Sequence, residues 1–195
     1  MSGPPSLVLA TRNPHKLKEF TRLLEPAGIL VEPLPEDVEL PPEDGLTFDA
    51  NALPKARAAA AATGLRAIAD DSGIESEALG GAPGVRSARY AGPHATDEQN
   101  LAKLMREAPP GSALRYVCAL AYVDQAADVE QLFHGYCAGS LAAAPRGDGG
   151  FGYDPAFIPD EDERGRTMAE MSDAEKDAIS HRGRAIMQLI GWLRS

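Results

Sequence analysis

The chain has 195 residues, of which 44% are hydrophobic and 25% charged, and its net charge is −10. This length suits a single domain with its own core. The acidic balance disfavours binding to long nucleic acid, and no apolar stretch is long enough to span a membrane. The N-terminal stretch MSGPPSLVLA does not resemble a signal peptide, which favours a cytoplasmic protein.

Hydrophobic periodicity predicts strands that alternate with helices. The predicted strands are 6–10, 29–31, 66–71, 74–79, 113–124, 130–141 and 156–158. The predicted helices carry Leu17–Leu24, cover 47–63, follow the caps Thr96 and Ser172, and start again near His181. The two long apolar strands, separated by a short polar turn, predict a central antiparallel hairpin. These elements predict an α/β or α+β fold around one mixed sheet.

Prolines and glycines mark the interruptions. Residues 32–45 hold four prolines and six acidic residues, which predicts an exposed acidic loop. Pro54 should kink the helix at 47–63 or delay its start. Cys118 and Cys137 are too few for a disulfide framework, so we expect buried thiols, with a pair on neighbouring strands as the alternative.

The first candidate motif is TRNPHK, which leaves a predicted strand and opens a helix. Such a loop presents backbone N–H groups to an anion, and Lys16 adds a positive charge. The motif matches neither a Walker loop nor a dinucleotide-binding glycine pattern. It therefore indicates a phosphate-binding loop, with an ordinary capped turn as the alternative.

The second motif is AIADDSG, in which an apolar run leads into two adjacent carboxylates, Asp70 and Asp71. Successive side chains of a strand point to opposite faces, so both enter one pocket only if the strand has ended. Carboxylates suit Mg²⁺, which takes one or two of them and completes its shell with water and phosphates. Glu43 in the acidic loop is a candidate second ligand. A solvated turn is the alternative.

Two further motifs lie in the C-terminal part of the chain. GDGGFGYD places Phe151 among glycines, where its ring could stack on a flat base, or where buried aromatics could simply pin a loop. EKDAISHRG brings Lys176 and His181 within five residues, which on a continuous helix is about 140° beyond one full turn. Both reach one ligand only if the helix breaks, so we predict a new helix capped by Ser180. A continuous surface helix is the alternative.

Five blocks stand in this order: LATRNPHKLKEF, GLTFDANALPKA, AIADDSGIESEALGGAPGVRSARYAG, GGFGYDPAF and MSDAEKDAISHRGRA. Together they closely resemble the inosine triphosphate pyrophosphatase family, over about residues 6–191. The resemblance implies a long twisted mixed sheet, two lobes with a cleft between them, and a homodimer. It also implies Mg²⁺-dependent hydrolysis of deaminated purine nucleotides such as ITP, dITP and XTP to the monophosphate and pyrophosphate.

The resemblance also implies roles for individual residues. Asp71 would be the general base and, with Glu43, would serve the metal. The substrate-binding positions that it implies are Thr11, Arg12, Asn13, Pro14, His15, Lys16, Ser72, Phe151, Gly152, Tyr153, Asp154, Lys176, His181 and Arg182.

The sequence departs from the family pattern at a few positions. Ala50 stands where the family commonly has Glu, with Asp49 one position earlier, so a carboxylate linked to the metal is missing or moved. Pro54 is unusual in that helix, and Arg12 stands where glycine is frequent. Two rival functions remain: a nucleotide-binding module without catalysis, and a pyrophosphatase for other modified nucleotides such as methylated pyrimidine triphosphates. Haloacid-type phosphatase chemistry is disfavoured because its motif needs aspartates two apart.

Overall fold

The computed structural model describes residues 6–195. Residues 1–5 lie outside the described residues. They belong to the N-terminal stretch from which we expect no signal peptide. In chain order the helices and strands are β1 (Ser6–Leu9), α1 (Pro14–Leu24), β2 (Leu30–Pro33), α2 (Phe48–Thr63), β3 (Ala67–Ser76), α3 (Asp97–Glu107), β4 (Ala113–Asp124), β5 (Val129–Leu141), β6 (Phe157–Pro159), α4 (Asp173–Ile179) and α5 (His181–Leu193).

The strands form one mixed sheet in the order β2-β1-β3-β4-β5-β6. Strand β1 is parallel to both β2 and β3, whereas β6 pairs antiparallel with β5. Strands β4 and β5 are neighbours joined by the short turn 125–128, too short for the crossover that parallel strands need, so they form the predicted hairpin. The predicted mixed α/β class is therefore confirmed.

The chain divides into two compact units. Unit 1 takes in the chain up to Asp71, Cys118–His134 and Gly183–Ser195, and unit 2 takes in Ser72–Val117 and Gly135–Arg182. The family resemblance likewise implies two lobes. Strands β3, β4 and β5 each contribute residues to both units.

The core of unit 1 joins helices α1 and α5 to the sheet. Phe20 and Leu24 of α1 and Ile186 and Leu189 of α5 pack with sheet residues such as Ile68, and all are fully or almost fully buried. The regularly spaced apolar residues that predicted these two helices lie on the helix faces that are buried in the core.

Unit 2 has a separate core, built around Phe157, Leu104, Met168 and Tyr116. Helix α3 carries its apolar side into this core and starts with a complete capping box between Thr96 and Gln99. Cys118 and Cys137 lie buried in different units and form no disulfide, as predicted.

Two local predictions were wrong. Pro54 does not delay the start of helix α2, which begins at Phe48 with Thr47 as its N-cap and continues past the proline to Thr63. Its buried residues include four alanines, Ala52, Ala56, Ala59 and Ala60, and burial of this side of the helix offsets the one lost hydrogen bond of the proline. Strand β3 runs without a break through Gly73 to Ser76, where two strands were predicted, and the predicted end of the second strand is a 3₁₀ turn, Glu77–Leu79.

The predicted helix break is confirmed. Helix α4 starts with the Ser172–Glu175 capping box and ends at Ile179, Ser180 is extended, and α5 starts at His181. Among residues 6–195, no helix has both the length and the apolar character that a membrane crossing requires.

Candidate functional site: two polar clusters

The loop between β1 and α1 is shaped by Asn13. Its side-chain oxygen accepts hydrogen bonds from the backbone N–H groups of His15 and Lys16, at 2.9 and 3.3 Å, and Pro14 has no N–H to offer. The prediction that these N–H groups await an anion was therefore wrong, because the helix cap already uses them. The Lys16 ammonium, which lies beside Asp70, is the positive charge that this loop brings to strand β3.

Strand β3 separates its two adjacent carboxylates. Ile68 belongs to the core formed with α1, and Asp70, two residues further along the strand, points to the same side. There its Oδ1 lies 3.0 Å from the Lys16 ammonium, and Asp70 itself is almost fully buried. Since the strand does not end, Asp71 points to the opposite face and has different partners.

Asp71 contacts helix α2. Its Oδ2 accepts a hydrogen bond from the Asn51 amide at 2.9 Å, and its Oδ1 lies 4.0 Å from the Lys55 ammonium. Asn51 and Lys55 are one helical turn apart, so they share a face of α2, and both are at most 5% exposed. Burial raises the pKa of Asp71, although the Lys55 charge and the Asn51 hydrogen bond act to lower it.

Lys55 also binds the acidic loop. Its ammonium donates to Glu43 Oε1 and, at 2.9 Å, to the backbone carbonyl of Asp70. Burial alone would raise the pKa of Glu43, but the charge and hydrogen bond of Lys55 outweigh it, so the pKa of Glu43 is lowered. Lys55 thus lies among the oxygens of Glu43, Asp70 and Asp71 and neutralises part of their charge.

The end of the acidic loop is tied to the same helix. The Gly45 N–H donates to Asn51 Oδ1 at 2.8 Å, while the other end of that amide holds Asp71. A β-carbon at Gly45 would lie 2.6 Å from Asn51 Oδ1 and 2.9 Å from the Ala50 β-carbon, so only glycine allows this approach. Asn51 therefore links the loop that carries Glu43 to the strand that carries Asp71.

The carboxylate at position 49 is not part of this cluster. Asp49 Oδ1 lies 2.7 Å from His134 Nε2, and two residues along a helix correspond to about 200°, so Asp49 and Asn51 lie on different sides of α2. The Ala50 side chain supplies no oxygen. The carboxylate that the family pattern has here is missing rather than moved.

The donor set of unit 1 fits a hard cation that also binds phosphate. Residues 6–195 hold no group of three or more His, Cys, Asp or Glu side chains arranged around a metal position. Mg²⁺ does not require one, because it takes one or two carboxylates and keeps water or phosphate oxygens in its other positions. Glu43 and Asp71 provide such a pair, and the Lys55 ammonium between them shows that the arrangement already accommodates positive charge.

The second polar cluster, in unit 2, is centred on Asp154. This carboxylate is 2% exposed and accepts from the Tyr116 hydroxyl at 3.0 Å, the Lys176 ammonium at 2.6 Å and the Phe151 N–H at 2.9 Å. A β-carbon at Gly150 would lie 2.1 Å from Asp154 Oδ2, and Gly150 has a φ of +68°. The glycines of this loop thus permit its close wrapping around a buried carboxylate.

Two cations lie over the ring of Phe151. The Lys176 ammonium is 5.1 Å and the Arg182 guanidinium 5.7 Å from the ring centroid. Arg182 also donates to Ser72 Oγ at 2.9 Å. Phe151, Lys176, Arg182 and Ser72 therefore lie together in unit 2, and their role in binding substrate stays a prediction.

His181 is held by stacking. Its ring lies 4.5 Å from that of Tyr116 with only 5° between the planes, and it is 4% exposed. Tyr116 thus contacts two candidate site residues, His181 by its ring and Asp154 by its hydroxyl. Tyr153 is more peripheral, since its hydroxyl donates to the Ser87 carbonyl, and Gly152 donates its N–H to Asp97.

The sequence argument assigned no role to Asn51, Lys55 or Tyr116. Asn51 and Lys55 stand four apart in GLTFDANALPKA, so their shared helix face was a signal in the sequence. Tyr116 had none, because it lies in an apolar strand where an aromatic residue is read as core.

Comparison with known proteins shows the family of this chain. The Ham1 family model matches residues 7–192. A dITP/XTP pyrophosphatase of Erwinia tasmaniensis is 50% identical over 190 residues, covering 94% of this chain and 92% of its own, and one of Mycobacterium tuberculosis (strain H37Rv) is 47% identical over 204 residues, covering 97% and 95%. The solved HAM1 protein from Coxiella burnetii superposes with a TM-score of 0.85 at 41% identity, covering 97% of this chain and 98% of its own. The fold and the two clusters define a protein of the nucleotide-hydrolase class. The chain belongs to the Ham1 family.

Proposed function

We propose that this protein hydrolyses deaminated purine nucleoside triphosphates such as dITP, ITP and XTP to the monophosphate and pyrophosphate. Its similarity to curated dITP/XTP pyrophosphatases over nearly the whole chain supports this activity. The observation that carries the proposal is the buried Asp71, held by Asn51 and Lys55 on a strand whose other carboxylate is already paired with Lys16.

In this proposal Asp71 is the general base. Its pKa is raised by burial, which brings a carboxylate nearer to the range in which it accepts a proton from water effectively. The Asn51 amide fixes the direction of one carboxylate oxygen. Asp71 then takes the proton of a water molecule that attacks the innermost phosphorus, and the bond to the outer two phosphates breaks.

In this proposal the cations of unit 1 stabilise the negative charge of the leaving pyrophosphate. Lys16 and Lys55 lie beside Asp70 and Asp71, where they can offset charge that develops on phosphate oxygens. Glu43 and Asp71 would hold Mg²⁺, which when bound neutralises phosphate charge and lowers the pKa of water. Of the predicted loop 11–16, the Lys16 side chain has the clearest role.

The unit 2 cluster is proposed to hold the base. Phe151 offers a ring face, and Lys176 and Arg182 offer only donors. A 6-oxo purine presents an acceptor at position 6, whereas adenine presents a donor there. A donor facing a donor in a buried site leaves both unpaired at about 1–3 kcal/mol each, or about tenfold or more in preference.

One assay separates this function from its rivals. The protein is incubated with Mg²⁺ and ITP, XTP, ATP or dTTP, and pyrophosphate and orthophosphate are followed separately. We expect pyrophosphate from ITP and XTP, little from ATP, and none from an Asp71→Asn variant that folds like the parent. A nucleotide-binding module would release neither product. A phosphatase that acts on the terminal phosphate would release only orthophosphate. A pyrophosphatase for other modified nucleotides would act poorly on ITP and XTP and prefer nucleotides of another kind. Full activity of Asp71→Asn would refute the assigned base.

The remaining expectations stay predictions. A cytoplasmic location agrees with a nucleotide substrate, and a homodimer is testable by light scattering of the purified chain.

A further inference from the structure

Arg12 makes an unusual set of contacts for a residue in a predicted phosphate loop. Its guanidinium donates to backbone carbonyls of Leu34, Pro35 and Val38 at 2.8, 2.6 and 2.7 Å, and to that of Glu36 at 3.2 Å. These acceptors lie 22 to 26 residues further along the chain. The Arg12 side chain is thus hydrogen-bonded to the first part of the acidic loop.

That loop has little internal means of holding its shape. Residues 34–45 contain no helix or strand, and three prolines in them have no N–H to donate. Within the loop, the Val38 N–H donates a hydrogen bond to the Pro35 carbonyl at 3.2 Å, and both of these residues also accept from Arg12. The far end is fixed by the bond from Gly45 to Asn51.

Glu43 lies between these two anchors. Its carboxylate meets Lys55, and through Lys55 the cluster that contains Asp71. If the Arg12 contacts are lost, residues 34–38 lose four hydrogen bonds from the guanidinium, so the loop opens more often and the Glu43 carboxylate samples more positions. The position of Glu43 therefore depends on a residue of the β1–α1 loop.

We propose that Arg12 is a positioning residue: its guanidinium straps residues 34–38 to the β1–α1 loop and so holds Glu43 in place for the divalent cation, instead of binding phosphate. The part that concerns the cation rests on the proposed function. Arginine suits this role because its planar fork offers five donors to several carbonyls at once, whereas a lysine ammonium is a point charge with three.

The test compares Arg12→Ala and Arg12→Lys with Arg57→Gln, a control that removes an exposed arginine of the same unit whose guanidinium pairs with Glu130. The first readout uses metal-free protein without nucleotide. Glutamyl endopeptidase cleaves after Glu36, Glu39 and Glu43, so its rate reports opening of the loop. We expect cleavage there to be about tenfold faster in both Arg12 variants and unchanged in the control, since proteolysis follows the population of the opened segment.

The second readout is Mn²⁺ binding to the same proteins, measured by titration calorimetry. We expect weaker binding in both Arg12 variants and parental binding in Arg57→Gln. In activity assays, the Mg²⁺ concentration for half-maximal rate should rise, while the KM for ITP at saturating Mg²⁺ stays at the parental value.

Opposite results would overturn the proposal. If Arg12→Lys restores parental cleavage and Mn²⁺ binding, the guanidinium fork is not what holds the loop. If the main effect is a higher KM for ITP at every Mg²⁺ concentration, Arg12 acts as a phosphate-binding charge. Parental loop cleavage in Arg12→Ala would equally refute the strap. Cleavage and Mn²⁺ binding need no nucleotide. A parent protein that fails to hydrolyse ITP would therefore refute the proposed function, whereas the role of Arg12 in holding the loop is tested by cleavage and Mn²⁺ binding alone.

Discussion

Replacing Lys176 with methionine tests the buried cluster of unit 2. Lys176 and Asp154 are 4% and 2% exposed, and the ammonium lies 2.6 Å from Asp154 Oδ2. Methionine keeps much of the chain volume but removes the charge, so a carboxylate remains buried with two neutral donors, the Tyr116 hydroxyl and the Phe151 N–H. Breaking one side of a buried pair costs about 3–5 kcal/mol.

Urea unfolding at pH 7, followed by circular dichroism, measures this loss. Arg57→Met is the matched control, because its pair with Glu130 is about half exposed, so its loss should leave the free energy of unfolding close to the parental value. The double variant Lys176→Met/Asp154→Asn should be less destabilised than the sum of the single variants, since the second change removes the charge that the first one strands. A loss below about 1 kcal/mol for Lys176→Met, or strict additivity, would refute the reasoning.

Two predictions concern the reaction itself. Arg182→Ala should narrow the preference for ITP over ATP as well as lower the rate, because a donor that adenine cannot satisfy is gone; an equal loss in kcat/KM on both substrates would contradict this role. Lys55→Met should move the acid limb of the pH profile for kcat/KM to higher pH. Burial raises the pKa of Asp71 and Lys55 exerts the strongest lowering influence, so its removal raises that pKa further and leaves less of the base ionised at a given pH. Lys55→Arg should stay near the parental profile, and an unmoved limb in Lys55→Met would rule out Asp71 as the titrating base.

Features with a local cause were predictable from the sequence. The Ser172 capping box, the break before His181 and the irregular acidic loop all follow from residues within a few positions of each other. Apolar spacing likewise identified the buried faces of α1 and α5. Two predictions failed where packing overrode a local preference. Helix α2 starts at Phe48 despite Pro54, and β3 is one strand where a break before residue 74 was predicted.

The arrangement of the polar side chains had to come from the tertiary structure. The sequence presented Asp70 and Asp71 as one motif, and only the unbroken strand assigns the first to Lys16 and the second to Asn51 and Lys55. Arg12 lies in the predicted phosphate loop, and only the tertiary structure shows that its guanidinium donates to backbone carbonyls of the acidic loop.

By itself the sequence determined the class of fold, the family resemblance and the segments that carry the chemistry, because periodicity, caps and breakers act over a few residues. Only the tertiary structure decided which side chain each carboxylate meets, since the bonds of Asn51 to Asp71 and of Tyr116 to Asp154 join positions 20 and 38 residues apart. Such partners come together only when the sheet and helices pack, and no spacing in the chain specifies them.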